Sequence, residues 1–167
     1  LVLFTGAYDS NLSSGKGRRE SMYYMSSLVN VLMASQMLKV PKFVYISSHE
    51  VYEESYADPI TEDMAPSPLS TKGMMVAQGE NLVTRYGDTT QMDTYVFRLD
   101  HMYWMPKNRK EVGEVHGKLC LEALRNHKGP ASEKHIFSSV YIADAIYMIY
   151  QAAREGGPMG VQAEVRV

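Results

Sequence analysis

Four consecutive polar side chains, Ser47 to Glu50, directly follow a short apolar run. That run, Phe43 to Ile46, is rich in β-branched and aromatic residues and predicts a buried strand. In an open α/β sheet, ligands bind in the crevice at the carboxyl ends of the strands. Two hydroxyls, an imidazole and a carboxylate at such an end are well placed for chemistry. The alternative is a turn capped by Ser47, with His49 and Glu50 simply solvated.

The periodicity of the other segments predicts the elements that would position these side chains. Apolar runs predict strands at residues 1–4 and 94–99, the first of them a buried central strand. Apolar residues at helical spacing predict helices over residues 20–39, 70–86, 112–127 and 142–154, and residues 161–167 would form a last short strand. The apolar face of the first helix would contain Met22, Met25, Leu28, Val29, Leu32 and Met33.

Glycines inside the second predicted helix need a structural reason. Each costs roughly 1 kcal/mol relative to alanine in a helix interior. We expect Gly79 to permit close packing of this helix on the sheet, and Gly87 to end the helix.

Length and composition favour one ordinary globular domain. The chain has 167 residues, which suffices to bury a core, and 45% hydrophobic with 22% charged residues is typical of such domains. A net charge of -2 gives no reason to expect nucleic acid or an anionic membrane as a partner. No apolar run approaches the roughly 20 residues of a membrane span, and no signal peptide is visible, so we expect a cytoplasmic protein.

Two weaker motifs do not support a further site. His116 and Cys120 are four residues apart and could share a metal ion, but no further ligand follows at a useful spacing, and the single cysteine excludes a cysteine cluster. Lys16 lies between two glycines, yet the spacing of a phosphate-binding loop is missing. We therefore expect no metal site.

A series of segments resembles the extended short-chain dehydrogenase/reductases, specifically the NAD-dependent epimerase/dehydratase family. KFVYISSHEVY at residues 42–52 resembles the family's strand-plus-serine segment, FVYxSSxxVYG. LVLFTGA is similar to VIHLAA, PITEDMAPSPLS to PxxEdxpxxPxspY, RLDHMY to RxxNVY, and HIFSSVYIAD to RDFVYVDDVA. The segments follow one another in the family's order over nearly the whole chain.

The resemblance implies a fold of the α/β class. We expect a Rossmann-like doubly wound parallel sheet that lacks the N-terminal Gly-rich βαβ part and has a small C-terminal substrate region. Residues 1–167 would form one domain, with the sheet and its helices in residues 1–99 and an interleaved substrate-side region in residues 100–167. The chain would then be the C-terminal two-thirds of the fold, and a piece of a longer polypeptide.

The resemblance also implies catalytic residues. Ser48 takes the place of the family's catalytic Ser or Thr, and His49-Glu50 takes the place of an Asp-Glu pair. The family's Tyr-x-x-x-Lys motif falls on Lys72 and Val76, so both of its side chains are replaced. Ser48 would then bind the substrate oxygen, and His49, Glu50 or Lys72 would act as the acid/base.

NAD or NADP would be the cofactor by the same resemblance, although the Gly-rich fingerprint that holds its pyrophosphate is absent from the chain. The expected cofactor contacts are Thr5, Gly6, Ala7, Ile46, Ser47, Lys72, Leu99 and His101. The substrate would be a small molecule, a nucleotide sugar or a related carbonyl or hydroxyl compound, and a homodimer could form through residues 20–39 and 70–86. The alternative is an inactive relative that senses a cofactor or binds a protein.

Overall fold

The computed structural model of the protein describes residues 1–6, 16–52, 60–61, 64–104, 125 and 139–155, with the backbone alone for residues 16–20. Five strands are present in this part: β1 Val2–Phe4, β2 Lys42–Ser48, β3 Asp93–Leu99, β4 His101–Tyr103 and β5 Ser139–Tyr141. The helices are α1 Lys16–Met37, α2 Thr71–Thr89, α3 Ile142–Glu155 and a 3₁₀ turn, His49–Val51. The predicted helix 112–127 and strand 161–167 lie outside the described residues.

All strand pairs in the described residues are parallel. The main sheet has the order β1-β2-β3, and β4 pairs with β5 in a second, two-stranded sheet. Along β2 and β3 the register runs from Lys42 opposite Asp93 to Ser48 opposite Leu99. The prediction of parallel strands around Phe43–Ile46 is therefore confirmed, and β2 and β3 end side by side.

Helices cover both faces of the main sheet. Phe43 and Tyr45 of β2 face α1 and α2 and join a cluster that includes Leu28 and Val83. Val44, on the opposite face, packs in a second cluster of Tyr95, Phe97, Leu99, Val140 and Ala145 under α3. The Lys42 ammonium donates to the Ala153 carbonyl of α3 at 2.7 Å. This alternation along β2 confirms the doubly wound arrangement.

The buried face of α1 agrees with the predicted one only in part. Leu28 and Leu32 are buried as predicted, but Tyr24 is buried as well, and Met22 and Met33 are 65% and 49% exposed. Apolar residues occur on several sides of this helix, so periodicity alone did not select the side that meets the sheet. Despite this apolar character, none of the helices in the described segments is long and apolar enough to cross a membrane.

The predictions for β1 and for the end of α2 were wrong in part. β1 is a strand, but it lies at the edge of the described sheet, and Leu3 is 47% exposed. α2 continues past Gly87 to Thr89. The hydroxyls of Thr89 and Thr90 donate to the carbonyls of Arg85 and Tyr86 at 2.7 and 2.6 Å. These side-chain bonds to carbonyls of the last turn stabilise the end of the helix beyond Gly87.

Gly79 lets α2 approach β2 closely, as predicted. A Cβ at this position would lie 2.2 Å from the hydroxyl oxygen of Tyr45. Tyr45 is fully buried, its hydroxyl donates to the Val76 carbonyl at 3.1 Å, and the same hydroxyl forms a hydrogen bond with Tyr24. The tyrosine pair therefore fixes the distance between α1, α2 and the sheet.

We predict that Gly79→Ala destabilises the protein by up to about 2 kcal/mol, because overpacking costs about 1–3 kcal/mol and alanine returns roughly 1 kcal/mol in helix propensity. Urea unfolding followed by circular dichroism measures the change. In a Tyr45→Phe background the hydroxyl is gone, so the same substitution should cost less. An equal cost in both backgrounds would contradict this packing.

Candidate functional site

The ends of β2 and β3 bring together residues that are about fifty positions apart in the chain. Ser48 is the last residue of β2 and pairs with Leu99, the last residue of β3. After Ser48 the chain turns into the 3₁₀ turn, in which the Ser48 hydroxyl accepts a hydrogen bond from the Glu50 amide at 3.3 Å. After Leu99 come Asp100 and His101. Since parallel strands present their carboxyl ends at one edge, these side chains share a site.

Glu50 joins this edge to the start of α2. The Lys72 ammonium donates to Glu50 Oε1 at 2.6 Å, and the Ser70 hydroxyl lies 3.4 Å from Oε2. The lysine and glutamate side chains are each 27% exposed, so this pair borders solvent. Ser70 also caps α2, because its hydroxyl accepts from the Gly73 amide at 2.9 Å. The cap and the ion pair together place Lys72 beside the 3₁₀ turn.

Gly73 is what allows this close approach of α2. A Cβ on Gly73 would lie 2.1 Å from the Glu50 carbonyl oxygen and 2.9 Å from Pro68. A side chain would therefore push the helix start away from the 3₁₀ turn, and with it Lys72. Gly73 thus serves the site, while Gly79 serves the core.

Two histidines and an aspartate form the other half of the site. His49 Nδ1 lies 3.3 Å from Asp100 Oδ1, and the His49 and His101 rings are 4.6 Å apart between centroids. The His101 amide donates to the same Asp100 oxygen at 2.7 Å. One nitrogen or oxygen of each side chain lies within 4.8 Å of the others, so the trio could hold a metal ion.

Burial lowers the pKa of His49 from its ordinary value of 6.5. The Asp100 carboxylate opposes this effect, His101 adds to it, Glu50 opposes it and Lys72 adds to it. The imidazole is therefore neutral at neutral pH, with burial as the dominant cause. Glu50 directly follows His49 in the 3₁₀ turn and accepts from Lys72, so the two halves of the site are adjacent.

A buried ion pair lies behind the edge. The Arg98 guanidinium donates to Glu80 through Nε at 3.0 Å and Nη2 at 2.8 Å, and both residues are at most 5% exposed. Ser47 donates its hydroxyl to the same carboxylate, and Arg98 also donates to the Tyr52 hydroxyl. Burial lowers the pKa of Arg98, but Glu80 and Tyr52 outweigh it and the net shift is upward.

The predicted site residues therefore separate into three groups. Those at the open edge, all partly exposed, are Ser48, His49, Glu50, Lys72 and His101. Thr5 and Gly6 follow β1 and are exposed, and Ile46 is half-buried. Ser47 and Leu99 are buried, the first against Glu80 and the second under α3. Ala7 lies outside the described residues.

Asp100 and Ser70 are site residues that were not predicted from the sequence. Asp100 directly follows a strand that was predicted, in the same way that Ser47–Glu50 follows β2. A polar residue after each of two neighbouring parallel strands is a usable signal. Ser70 had the weaker signal of a helix-capping position three residues before Gly73.

The parallel sheet covered by helices on both faces, with a polar edge at its carboxyl ends, defines a Rossmann-like protein. A family model described as the NAD dependent epimerase/dehydratase family matches residues 11–161. This match covers more than half of the chain, so the chain belongs to that family. No curated protein matches the chain.

Several solved structures share this fold. UDP-glucuronic acid 4-epimerase from Bacillus cereus, in complex with UDP-glucuronic acid and NAD, has a TM-score of 0.74 at 22% identity. The alignment covers 99% of this chain and 53% of the epimerase. A short-chain dehydrogenase/reductase superfamily protein from Agrobacterium tumefaciens with bound NAD has a TM-score of 0.73 at 19% identity, and the alignment covers 99% of this chain and 59% of that protein. dTDP-glucose 4,6-dehydratase from Bacillus anthracis, in complex with NAD, has a TM-score of 0.73 at 18% identity, and the alignment covers 99% of this chain and 51% of that protein. The chain thus spans just over half the length of these proteins.

We predict that the pKa of the His49 imidazole lies below its ordinary value of 6.5. Asp100→Asn should lower this pKa further, because it removes the negative charge that opposes the effect of burial. Because the folded state holds the proton less well than the unfolded state, stability is complete above about pH 6.5 and falls as the pH decreases through and below that value. NMR titration of the ring proton, assigned with His49→Gln, measures the pKa. Asp88→Asn, at an exposed carboxylate, is the matched control and should leave it unchanged. A pKa that rises in Asp100→Asn would contradict the assigned contact.

Proposed function

We propose that this chain is the catalytic part of an NAD-type epimerase or dehydratase that acts on a nucleotide sugar or a related carbonyl or hydroxyl compound. Membership of the family supports the kind of chemistry, and the UDP-glucuronic acid bound by the Bacillus cereus neighbour suggests the substrate class. One observation carries the proposal. His49 Nδ1 lies 3.3 Å from Asp100 Oδ1, and His49 directly follows Ser48 at the end of β2.

Ser48 is the proposed contact to the reacting substrate oxygen. Its hydroxyl oxygen accepts from the Glu50 amide, so its own proton remains to be donated. The hydroxyl ends a strand whose neighbours are fixed in register, which gives it the rigid support that a positioning group needs.

His49 is the proposed acid/base. Its Nδ1 faces Asp100, so a proton held there orients the ring and leaves Nε2 to accept a proton from the substrate hydroxyl. Lys72 is less suited to accept a proton, because its ammonium already donates to Glu50. We assign the Lys72–Glu50 pair to positioning of the substrate and of the 3₁₀ turn.

An NAD-type dinucleotide is the proposed cofactor, and when bound it accepts a hydride from the substrate and returns it. The residues fit such a group in part. Thr5 and Gly6 are exposed at the end of β1, and His101 follows β3 at the same edge. Val76, where the family keeps its lysine, is buried against the core and offers no cation for a ribose.

An inactive cofactor-sensing or protein-binding relative is the second candidate. The replacement of both motif side chains favours it, because Lys72 is paired and Val76 is buried. A cytoplasmic location and a homodimer through α1 and α2 remain predictions. Met22 and Met33, two exposed apolar side chains of α1, are compatible with such a dimer.

Calorimetry and turnover of the full-length polypeptide separate the candidates. NAD⁺ and NADP⁺ are titrated first, and a panel of UDP-sugars is then assayed by chromatography of the products. We expect turnover, and a loss of roughly 10²–10⁴-fold in His49→Gln as for other acid/base groups. Ser48→Ala should also lose rate, and Asp88→Asn, the matched surface control, should not. Dinucleotide binding without turnover would support the inactive relative, and full activity of both variants would overturn the assigned roles.

A further inference from the structure

His49, Asp100 and His101 converge from the ends of two neighbouring strands. His49 opens the 3₁₀ turn after β2, and the other two residues follow β3. One potential ligand atom of each lies within 4.8 Å of the other two. We propose that these three side chains bind a single divalent transition-metal ion of the Zn²⁺ type, at the open edge of the sheet.

The separations are close to those that a bound ion requires. Zn–N and Zn–O distances of about 2.0–2.2 Å place two ligand atoms of a tetrahedral ion about 3.4 Å apart. His49 Nδ1 and Asp100 Oδ1 already have this separation, at 3.3 Å. Two ligand atoms at the upper limit of 4.8 Å would need to move about 1.4 Å closer together to reach the separation of about 3.4 Å. Side chains that are only partly buried can make such a movement by rotation.

The donor set selects the kind of ion. Two imidazoles and one carboxylate hold Zn²⁺ or Fe²⁺ in sites that keep a coordination position open. Ca²⁺ and Mg²⁺ prefer oxygen ligands alone, which this trio does not supply. The charge is also suitable, since the carboxylates of Asp100 and Glu50 outnumber the one ammonium of Lys72 at this edge.

The surrounding backbone already supports the three ligands. Asp100 Oδ1 accepts from the His101 amide at 2.7 Å, which fixes the carboxylate relative to the neighbouring ligand. His49 lies in the 3₁₀ turn that Ser48 caps. Such outer contacts orient ligands and are worth 10–100-fold in affinity in known metal sites. The trio therefore has the support that a cluster of mobile surface side chains lacks.

Metal binding at this trio does not depend on the proposed reaction. A metal ion on His49 Nδ1, the nitrogen that faces Asp100, leaves the proton on Nε2 and makes that nitrogen a donor. While a metal ion is bound to His49, this residue therefore cannot accept a proton from the substrate. The open coordination position would bind water or a substrate oxygen instead.

Calorimetry with Zn²⁺ on the untagged full-length polypeptide tests the proposal without any turnover. We expect one ion per chain at this trio and visible absorption bands when Co²⁺ replaces Zn²⁺. Asp100→Asn, His49→Ala and His101→Ala should each weaken binding at least roughly tenfold, the lower limit known for loss of an outer contact. Asp88→Asn removes an exposed carboxylate elsewhere and is the matched control, with unchanged affinity.

NMR on the unaltered chain covers the case in which a variant fails to fold. Zn²⁺ should shift the ring resonances of His49 and His101 together, at one equivalent. Absence of binding would overturn the proposal. So would unchanged affinity in a folded Asp100→Asn variant, or loss of binding in His116→Ala while Asp100→Asn still binds, because the ion would then lie elsewhere.

Discussion

The buried ion pair of Glu80 and Arg98 ties the helix that carries Lys72 to the strand that carries the other half of the site. Glu80 is on α2, Arg98 is on β3, and Ser47 of β2 donates to the same carboxylate. Burying two charges is costly, and only a geometry with several hydrogen bonds offsets that cost. Since these bonds come from three elements, α2, β2 and β3 cannot shift independently without leaving a buried charge unpaired.

This constraint acts directly behind the polar edge. Ser47, held by Glu80, is followed by Ser48, and Arg98 lies two residues before Asp100. The parallel register places Ser48 beside Leu99, so the side chains that follow both strands meet. The buried ion pair therefore holds the two strands whose ends carry the serine, histidine and carboxylate groups at the surface. His49 at this edge can serve either the proposed acid/base chemistry or the proposed metal site, but not both at once.

Much of this arrangement follows from local patterns in the sequence. The apolar runs predicted β2 and β3, and the polar residues after β2 predicted a site at that edge. Patterns failed where a distant partner decides the outcome. The hydrogen bond from the Ser47 hydroxyl to the carboxylate of Glu80, thirty-three positions later, could not be predicted from the sequence. Asp100 could have been placed at this edge because it follows a predicted strand, but its contact with His49 could not, because the two residues are near only in space. Met33 was placed in the core because α1 has apolar residues on several sides.

A double-mutant cycle on Glu80→Gln and Arg98→Met tests the central claim most directly. Each single change leaves a buried polar group without its partner and should cost about 3–5 kcal/mol in the free energy of unfolding. The double variant should cost clearly less than the sum, and His49 and His101 ring resonances should shift in each single variant. Additive costs below about 1 kcal/mol, as for the exposed Arg85–Asp88 pair, with unchanged resonances would contradict the account.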